Sequence, residues 1–403
     1  MCQCSPDSEP KSTFDLNRVW RPDDGQTPAP LKPGPNAIYR EDIFETIREK
    51  IKELDPELRE LSLDIHAWRA TYEVGSGGRT IGVNSEMDAL KGIGHACGHN
   101  LIGISGVAVA IAIRAALEKH NLSGKIVLLG TPAEEGGSGK VVLLEKGAYE
   151  GMAACLMCHP APGPVGSVSL SSCLALERLI VEYHGHTAHA ALSPWEGKNA
   201  LDAAVLGYNN ISALRQQLRP THRVHGIFEG KDWAPNIIPD YAKFICYVRA
   251  PTVAQMQETV KRVIPCFEAA ALATGCELKI DRSGATGDLR QNKALGNEVA
   301  NIVLNKHGAI DYQWGISSAS TDFGNITYAL PSLHPGFAIP TEVDGGNHTL
   351  AFAKAAATAE SHKATLDVSE ALAATGVRVL IDDDFFAKVQ QTFKEDQILR
   401  EQS

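Results

Sequence analysis

The feature that most constrains the fold is a change in segment order near residue 174. Upstream, apolar strand-like segments alternate with helical ones. From 174 to 283 the order becomes strand, helix, strand, strand, helix, strand, which is the βαββαβ order of a ferredoxin-like unit. The six segments are LALERLIVEYHG, NALDAAVLGYNNISALRQQL, HRVHGIFEG, YAKFICYVRA, TVAQMQETVKRVIPCFEAAALATG and CELKIDRS.

The sequence on either side of this unit predicts an α/β domain with a mostly parallel sheet covered by helices on both faces. We predict that residues 41–173 and 286–403 form this discontinuous domain and that 174–285 is an inserted second domain. Residues 290–380 return to helix and strand alternation, and their strands are expected to rejoin the first sheet. A proline-rich, irregular arm is predicted for 1–40. Two domains also suit a chain of 403 residues.

Composition narrows the class of protein. A formal net charge of −10 argues against nonspecific nucleic-acid binding. The apolar run that starts at Leu101 includes Arg114 and is short for a membrane span, so a buried helix is expected. The arm does not resemble a secretory signal, and nine irregularly spaced cysteines favour a reducing, cytoplasmic setting. Cys2 and Cys4 form a CxC pair that could bind metal, although an incidental pair is favoured.

Four polar motifs follow predicted strands. Ligands in open α/β sheets collect at the carboxyl ends of the strands, so these motifs are expected to lie near one another. They are GHACGHN from 94, TPAEEGG from 131, CHPAPG from 158 and GGNHT from 345.

In the first motif, Cys97 and His99 are candidate metal ligands. In an extended loop, side chains two residues apart point to the same side, and thiolate and imidazole both bind zinc-like metals. The alternative is a buried cysteine beside a hydrogen-bonded histidine. Asp88, just upstream, could orient a ligand histidine or could cap a helix.

In the second motif, Glu134 and Glu135 are adjacent carboxylates after an apolar strand. Their repulsion and desolvation need compensation, which a metal bound by one of them would supply while the other acts as general base. An exposed loop pair is the alternative. His159 ends an apolar run. His348 precedes the predicted helix TLAFAKAAATAES, and His334 competes with it as the late ligand.

The motif order resembles a family of dinuclear metallopeptidases that includes aminoacylases, glutamate carboxypeptidases and amidohydrolases of hippurate and auxin conjugates. The resemblance runs from about residue 40 to 380 and is strongest to the branch of aminobenzoyl-glutamate hydrolases and β-alanyl-lysine dipeptidases. It is carried by MDAL, GHACGHN, GTPAEEGG, MCHP, GHTAHAA, APNIIPD, STDFG and a late His-Thr pair.

The resemblance implies two divalent metals, with zinc favoured over manganese or cobalt, and a role for each matching residue. Glu134 would be the general base. The better-known branches use a histidine and a bridging aspartate where this chain has Cys97 and His99, so either of these could bridge the metals. The implied ligands are Cys97, His99, Glu135, His159 and His348.

The resemblance also implies that the inserted unit is a lid and dimerisation domain. His189 would stabilise the oxyanion in a neighbouring active site, and Asn236 would contact substrate. Without the resemblance, a surface histidine and a turn asparagine are the simpler interpretations.

The expected function is hydrolysis of the amide bond of a dipeptide or N-acyl amino acid by a metal-bound hydroxide, with a glutamate as general base. The alternatives are amide formation at the same site in a biosynthetic pathway, and a member of the fold that binds without hydrolysis. The expected partners are a small-molecule substrate and a second copy of the chain, with no nucleic acid and no membrane.

Overall fold

The computed structural model describes residues 38–61, 69–282 and 284–402. The arm predicted for 1–40, with Cys2 and Cys4, therefore lies outside the described residues except for its last three positions.

Contacts divide the described chain into two compact units. The second unit comprises Cys173–Asp288 and Ser318–Gly324. The first contains the described residues up to Ser172, together with Leu289–Ser317 and those from Asn325 onward. The domain boundaries drawn from the sequence stay a prediction.

The first unit is α/β, as predicted. Its larger sheet has the order β1-β3-β2-β4-β13, in which only the pair β1 and β3 is antiparallel. The strands are β1 (Arg69–Val74), β2 (Thr80–Glu86), β3 (Gly124–Thr131), β4 (Met152–Leu156) and β13 (Ser332–Leu333). The interior of β2 is buried without polar alternation, as expected for a strand covered on both faces.

A second, four-stranded sheet of this unit corrects one expectation. Only β13 of the late strands rejoins the larger sheet, whereas two others pair elsewhere in the order β12-β6-β14-β5. These strands are β5 (His159–Pro162), β6 (Ser167–Ser169), β12 (Ala309–Asp311) and β14 (Gly336–Ile339). The reason is that the chain leaves β4 at Met157 and continues as β5, and β14 follows it in parallel from Gly336 opposite His159.

Helices complete the first unit. α2 packs against α1, α10 and β2 in the core. The predicted helix from Thr349 is two helices, because Thr358 accepts a hydrogen bond from the N–H of Ser361 and caps a new one. The helices are α1 (Glu41–Leu61), α2 (His99–Lys119), α3 (Glu134–Gly137), α4 (Gly139–Glu145), α7 (Lys293–Lys306), α8 (Phe323–Ala329, which begins in the second unit), α9 (Leu350–Ala355), α10 (Ala359–Ile381) and α11 (Asp383–Gln402).

Helix α2 is long and apolar enough to cross a membrane by length and composition, and it is the one such helix among the described residues. Most of it is buried inside the first unit, which is the pattern of a core helix.

The second unit confirms the predicted ferredoxin-like order. Its antiparallel sheet runs β10-β7-β9-β8, with the short β11 also pairing with β7. Alternate residues of β7 and β9 are buried, and two helices cover that face. The elements are β7 (Ala175–His184), α5 (Ala200–Leu214), β8 (Arg223–Gly230), β9 (Tyr241–Ala250), α6 (Val253–Thr274), β10 (Glu277–Asp281) and β11 (Ala285–Thr286).

Candidate metal centre

The polar motifs converge in the first unit. β2 ends at Glu86, β3 ends at Thr131 just before the paired glutamates, and His159 begins β5 where the chain leaves β4. The parallel strands β2, β3 and β4 bring these ends to one edge of the larger sheet, as the sequence predicted.

The loop that carries Cys97 and His99 differs from the extended loop expected. Gly98 has φ 82° and ψ 21°, a left-handed conformation that favours glycine. The chain turns there, and His99 is the first residue of α2, two residues before the apolar run that starts at Leu101. The turn and the helix start, rather than strand-like alternation, set the direction of both side chains.

Five predicted ligands lie close together. Cys97 Sγ is 3.5 Å from Nε2 of His159. Glu135 lies between two histidines, with Oε1 3.9 Å from His99 Nε2 and Oε2 3.4 Å from His348 Nε2.

These side chains form three overlapping groups in which the ligand atoms lie within 4.8 Å of one another. Cys97, His99 and Glu135 each belong to two groups, and Glu134 joins the third. The groups are Cys97, His99 and His159; Cys97, Glu135 and His348; and His99, Glu134 and Glu135. Their side chains supply the thiolate, imidazole and carboxylate donors that zinc-like ions prefer.

Hydrogen bonds fix the orientation of two histidines. His99 Nδ1 lies 2.9 Å from the carbonyl of Asp88, and His159 Nδ1 lies 2.8 Å from that of Pro160. Each Nδ1–H donates to its carbonyl, which leaves the Nε2 lone pair directed at the cluster. The Asp88 carboxylate accepts a bond from the N–H of Glu135 at 3.0 Å, so this residue contacts two candidate ligands.

Electrostatics favour an ionised cluster. Burial raises the pKa of Cys97, but the surrounding histidines outweigh it and lower that pKa well below its usual value. Hydrogen bonds to Cys97 and Glu135 raise the pKa of His348 to about 10. Burial opposes the charge on Asp88, yet hydrogen bonds from His99 and from backbone N–H groups lower its pKa to about 2. These shifts favour a Cys97 thiolate beside a charged His348 imidazole when no cation is bound.

The loop at His348 is held in a strained conformation. His348 has φ 69°, a left-handed conformation that residues other than glycine adopt infrequently. The side-chain amide of Asn347 donates to the carbonyls of Cys97, at 3.4 Å, and Pro160, at 3.3 Å. Asn347 therefore joins three ligand-bearing segments, a role for which no sequence pattern provides a signal.

Two buried polar atoms of the cluster lack a hydrogen-bond partner among the described residues, which is expected of metal ligands. Within the described part of the chain, His99 Nε2 and Glu135 Oε1 are buried and have no hydrogen-bond partner. Such groups are costly unless something compensates them, and a divalent cation bound by both would do so. The residues present fit a metal.

Two buried side chains near the cluster were missed from the sequence, and a third, His334, was considered there as the competing late ligand. Glu86 and Lys140 form an ion pair and are both fully buried. His334 is also buried, and its ring stacks on that of His159 with centroids 5.9 Å apart. Among the described residues, the sets of side chains that could hold a metal ion include His348 and do not include His334. The sequence held a signal for the ion pair. A glutamate at the end of the predicted strand GVNSE is expected to be buried and therefore to need a positively charged partner.

The remaining predicted residues lie in the second unit. His189 and Asn236 are exposed in neighbouring segments, which are joined by a bond from the N–H of Ala190 to the carbonyl of Asn236 at 3.0 Å. His189 Nδ1 accepts from the N–H groups of Ala191 and Leu192. Their roles toward substrate stay predictions.

An α/β sheet that presents thiolate, imidazole and carboxylate donors at its carboxyl edge, in a chain with an inserted ferredoxin-like unit, defines a metal-dependent hydrolase. The chain belongs to Peptidase family M20/M25/M40, which matches residues 82–395. This confirms the resemblance seen in the motifs and makes the chain a hydrolase of a dinuclear metallopeptidase family.

Relatives and solved structures agree with this assignment. The chain is 40% identical to the Xaa-Arg dipeptidases of Mus musculus, over 77% of this chain and 72% of that protein, and of Homo sapiens, over 78% and 72%. It is 27% identical to one of the subunits of the p-aminobenzoyl-glutamate hydrolase of Escherichia coli, over 79% and 80%. The fold matches a dinuclear metal-binding M20 peptidase of Bacillus subtilis with TM-score 0.57 and 17% identity, over 84% of this chain and 99% of that one.

Proposed function

We propose that this chain is a dipeptidase that uses two divalent metals, with dipeptides ending in arginine or another basic residue as its first candidate substrates. The observation that carries the hydrolytic part is the close approach of Cys97, His99, Glu135, His159 and His348. The substrate class rests on the 40% identity to two Xaa-Arg dipeptidases.

Of Cys97 and His99, Cys97 would be the residue able to serve both metals. A neutral imidazole has one lone pair, and His99 Nδ1 is already committed to the carbonyl of Asp88, so its Nε2 serves one ion. The Cys97 sulfur is near both His159 and His348 and has several lone pairs. Zinc suits this mixture of donors, and manganese or cobalt are alternatives.

Glu134 is the proposed general base. When bound, the divalent ions polarise the substrate carbonyl and lower the pKa of a water molecule. One ligand atom each of Glu134, His99 and Glu135 lie within 4.8 Å of one another. The Glu134 carboxylate is therefore near enough to accept a proton from that water and return it to the leaving amine.

His189 is the proposed donor to the oxyanion. Because its Nδ1 accepts two backbone N–H bonds, the neutral ring carries its proton on Nε2, and the exposed side chain presents an N–H donor. Asn236 lies on the adjoining segment and is proposed to contact substrate.

The test is a hydrolysis panel read by mass spectrometry with zinc, manganese or cobalt added. Xaa-Arg and Xaa-Lys dipeptides should be cleaved faster than p-aminobenzoyl-glutamate or N-acetyl amino acids. Glu134→Gln should lower kcat by about a hundredfold or more while metal content is unchanged. The control is Glu145→Gln, an exposed glutamate at the end of α4. Full activity in Glu134→Gln would refute the mechanism.

The same panel separates the alternatives. Preferred cleavage of p-aminobenzoyl-glutamate would favour the second candidate function, suggested by the 27% identity to the Escherichia coli hydrolase. Amide formation is tested by incubating the enzyme with free amino acids while the condensation product is removed. Substrate binding without turnover in metal-loaded protein would indicate a non-hydrolytic member.

We further propose a homodimer in the cytoplasm. β8 is an edge strand of the second unit, and Ile227 and Phe228 on it are 60% and 39% exposed, which suits pairing with a second copy. The seven cysteines in the described part of the chain are all free, as expected in a reducing compartment. An active monomer by light scattering would remove any role for His189 in a neighbouring protomer.

A further inference from the structure

Glu86 is the last residue of strand β2 and lies beside His99 of the candidate metal centre. It is fully buried, and its Oε2 lies 3.3 Å from Nε2 of His99. Its other oxygen, Oε1, accepts a hydrogen bond from the ammonium of Lys140, which is also fully buried. Two fully buried charges at one spot are costly to desolvate and need a reason.

The lone pairs at this spot oppose one another. His99 Nδ1–H donates to the carbonyl of Asp88, so the neutral ring directs the Nε2 lone pair at Glu86 Oε2. Both atoms are buried and lack a hydrogen-bond partner within the described segments. Two acceptors at this separation, away from water, repel unless a positive charge lies between them.

A third acceptor lies near the same histidine nitrogen. Glu135 Oε1 is 3.9 Å from His99 Nε2, is buried, and likewise has no partner among the residues described. A single proton on Nε2 can be donated fully to only one of the two carboxylates. A divalent cation satisfies the nitrogen and both oxygens together, since it accepts several donors at once.

We propose that Glu86 is a further residue of the metal centre, a carboxylate ligand of the same ion that His99 and Glu135 hold. Lys140 is the positioning residue, because it occupies Oε1 and leaves Oε2 alone to face the ion. This inference rests on the proposed metal-dependent function. It adds a carboxylate to the ligand set that the motifs predicted.

The competing explanation is structural, with Glu86 present only to neutralise Lys140. The double variant Glu86→Gln/Lys140→Met separates the two. It removes both charges with side chains of similar size, and replacing a whole buried pair costs far less stability than breaking it. If Glu86 were only a partner for Lys140, the double variant would bind metal as the wild type does.

The measurement is metal bound per chain, by elemental analysis after dialysis against chelator-buffered zinc, together with affinity by chelator competition. We expect two ions in the wild type. In Glu86→Gln and in the double variant, the affinity for one ion should fall about tenfold or more. The control is Glu298→Gln, since Glu298 is a buried carboxylate paired with Arg378 at 2.6 Å. That variant should keep both ions.

Each outcome decides a different question. Unchanged affinities in the double variant would overturn the role of Glu86 and leave the proposed function standing. A wild type that takes up none of zinc, manganese and cobalt would refute the proposed function itself. If Glu86→Gln alone fails to fold, the double variant carries the test, with circular dichroism as the check on folding.

Thermal unfolding gives a second, independent readout. In Lys140→Met the Glu86 carboxylate loses the group that positions it, and in the double variant the carboxylate itself is gone. In both variants added zinc should therefore raise the unfolding temperature by less than in the wild type. Equal shifts in the three proteins would contradict the proposal, because a purely structural pair does not interact with the ion.

Discussion

His348 is tied to the Cys97 loop through its backbone, with its N–H donating to the carbonyl of Ala96 at 2.7 Å. The last ligand in the sequence is thereby placed against the first, about two hundred and fifty residues earlier in the chain. Rigid support of this kind determines whether a set of donors binds metal well or only weakly.

Asn347 should matter for metal affinity although it is not proposed as a ligand. Asn347→Ala removes the hydrogen bonds that the side-chain amide donates to the carbonyls of Cys97 and Pro160. It leaves the atoms of the candidate metal ligands in place. We expect metal affinity to fall about tenfold, measured by chelator competition. Asn305→Ala is the control, because Asn305 makes a comparable bond to the carbonyl of Asn301 on α7. Equal affinities in the two variants would refute this role.

Replacing His348 with asparagine should separate metal binding from folding. Asparagine tolerates the left-handed conformation that His348 adopts at φ 69°, so His348→Asn keeps the loop but removes the imidazole. The metal-free variant should fold with a modest loss of stability to urea, because the hydrogen bonds of His348 to Cys97 and Glu135 are gone, while elemental analysis should show loss of metal. A variant that keeps its full metal content would exclude His348 as a ligand.

The metal-free protein should lose stability as the pH rises above neutrality. Hydrogen bonds to Cys97 and Glu135 raise the pKa of His348 from 6.5 to about 10 in the folded state. Protonation therefore favours folding, and this contribution is complete below pH 6.5 and is lost as the pH rises through about 10. Urea unfolding of the chelated protein should show the decline, and His348→Asn should show a smaller one. The same decline in both would assign it to other groups.

The sequence predicted the fold because its signals are local and repeated. The βαββαβ order of the second unit follows from segment lengths and periodicity, and the motifs follow strand ends. The second sheet was missed because the change of direction at Met157 depends on the pairing of β5 with β14, which lies far away in the sequence. Asn347, Glu86 and Lys140 were missed for a related reason. Their partners are distant in sequence, and single polar residues have no periodicity.

Gly98 should be the least replaceable glycine of the metal loop. A Cβ at this position would lie 2.4 Å from Cγ of Pro160 and 3.2 Å from Cε1 of Phe352, and φ is 82°. Gly98→Ala therefore combines backbone strain with overpacking, and we expect a loss of about 2–4 kcal/mol in the free energy of unfolding, measured in urea. Gly92→Ala is the matched control, because Gly92 has φ 84° and a Cβ there meets nothing within 4 Å. Strain alone should cost that control about 1–2 kcal/mol. Similar losses in the two variants would show that Pro160 and Phe352 yield to the added methyl group, and that Gly98 is needed only for its backbone conformation.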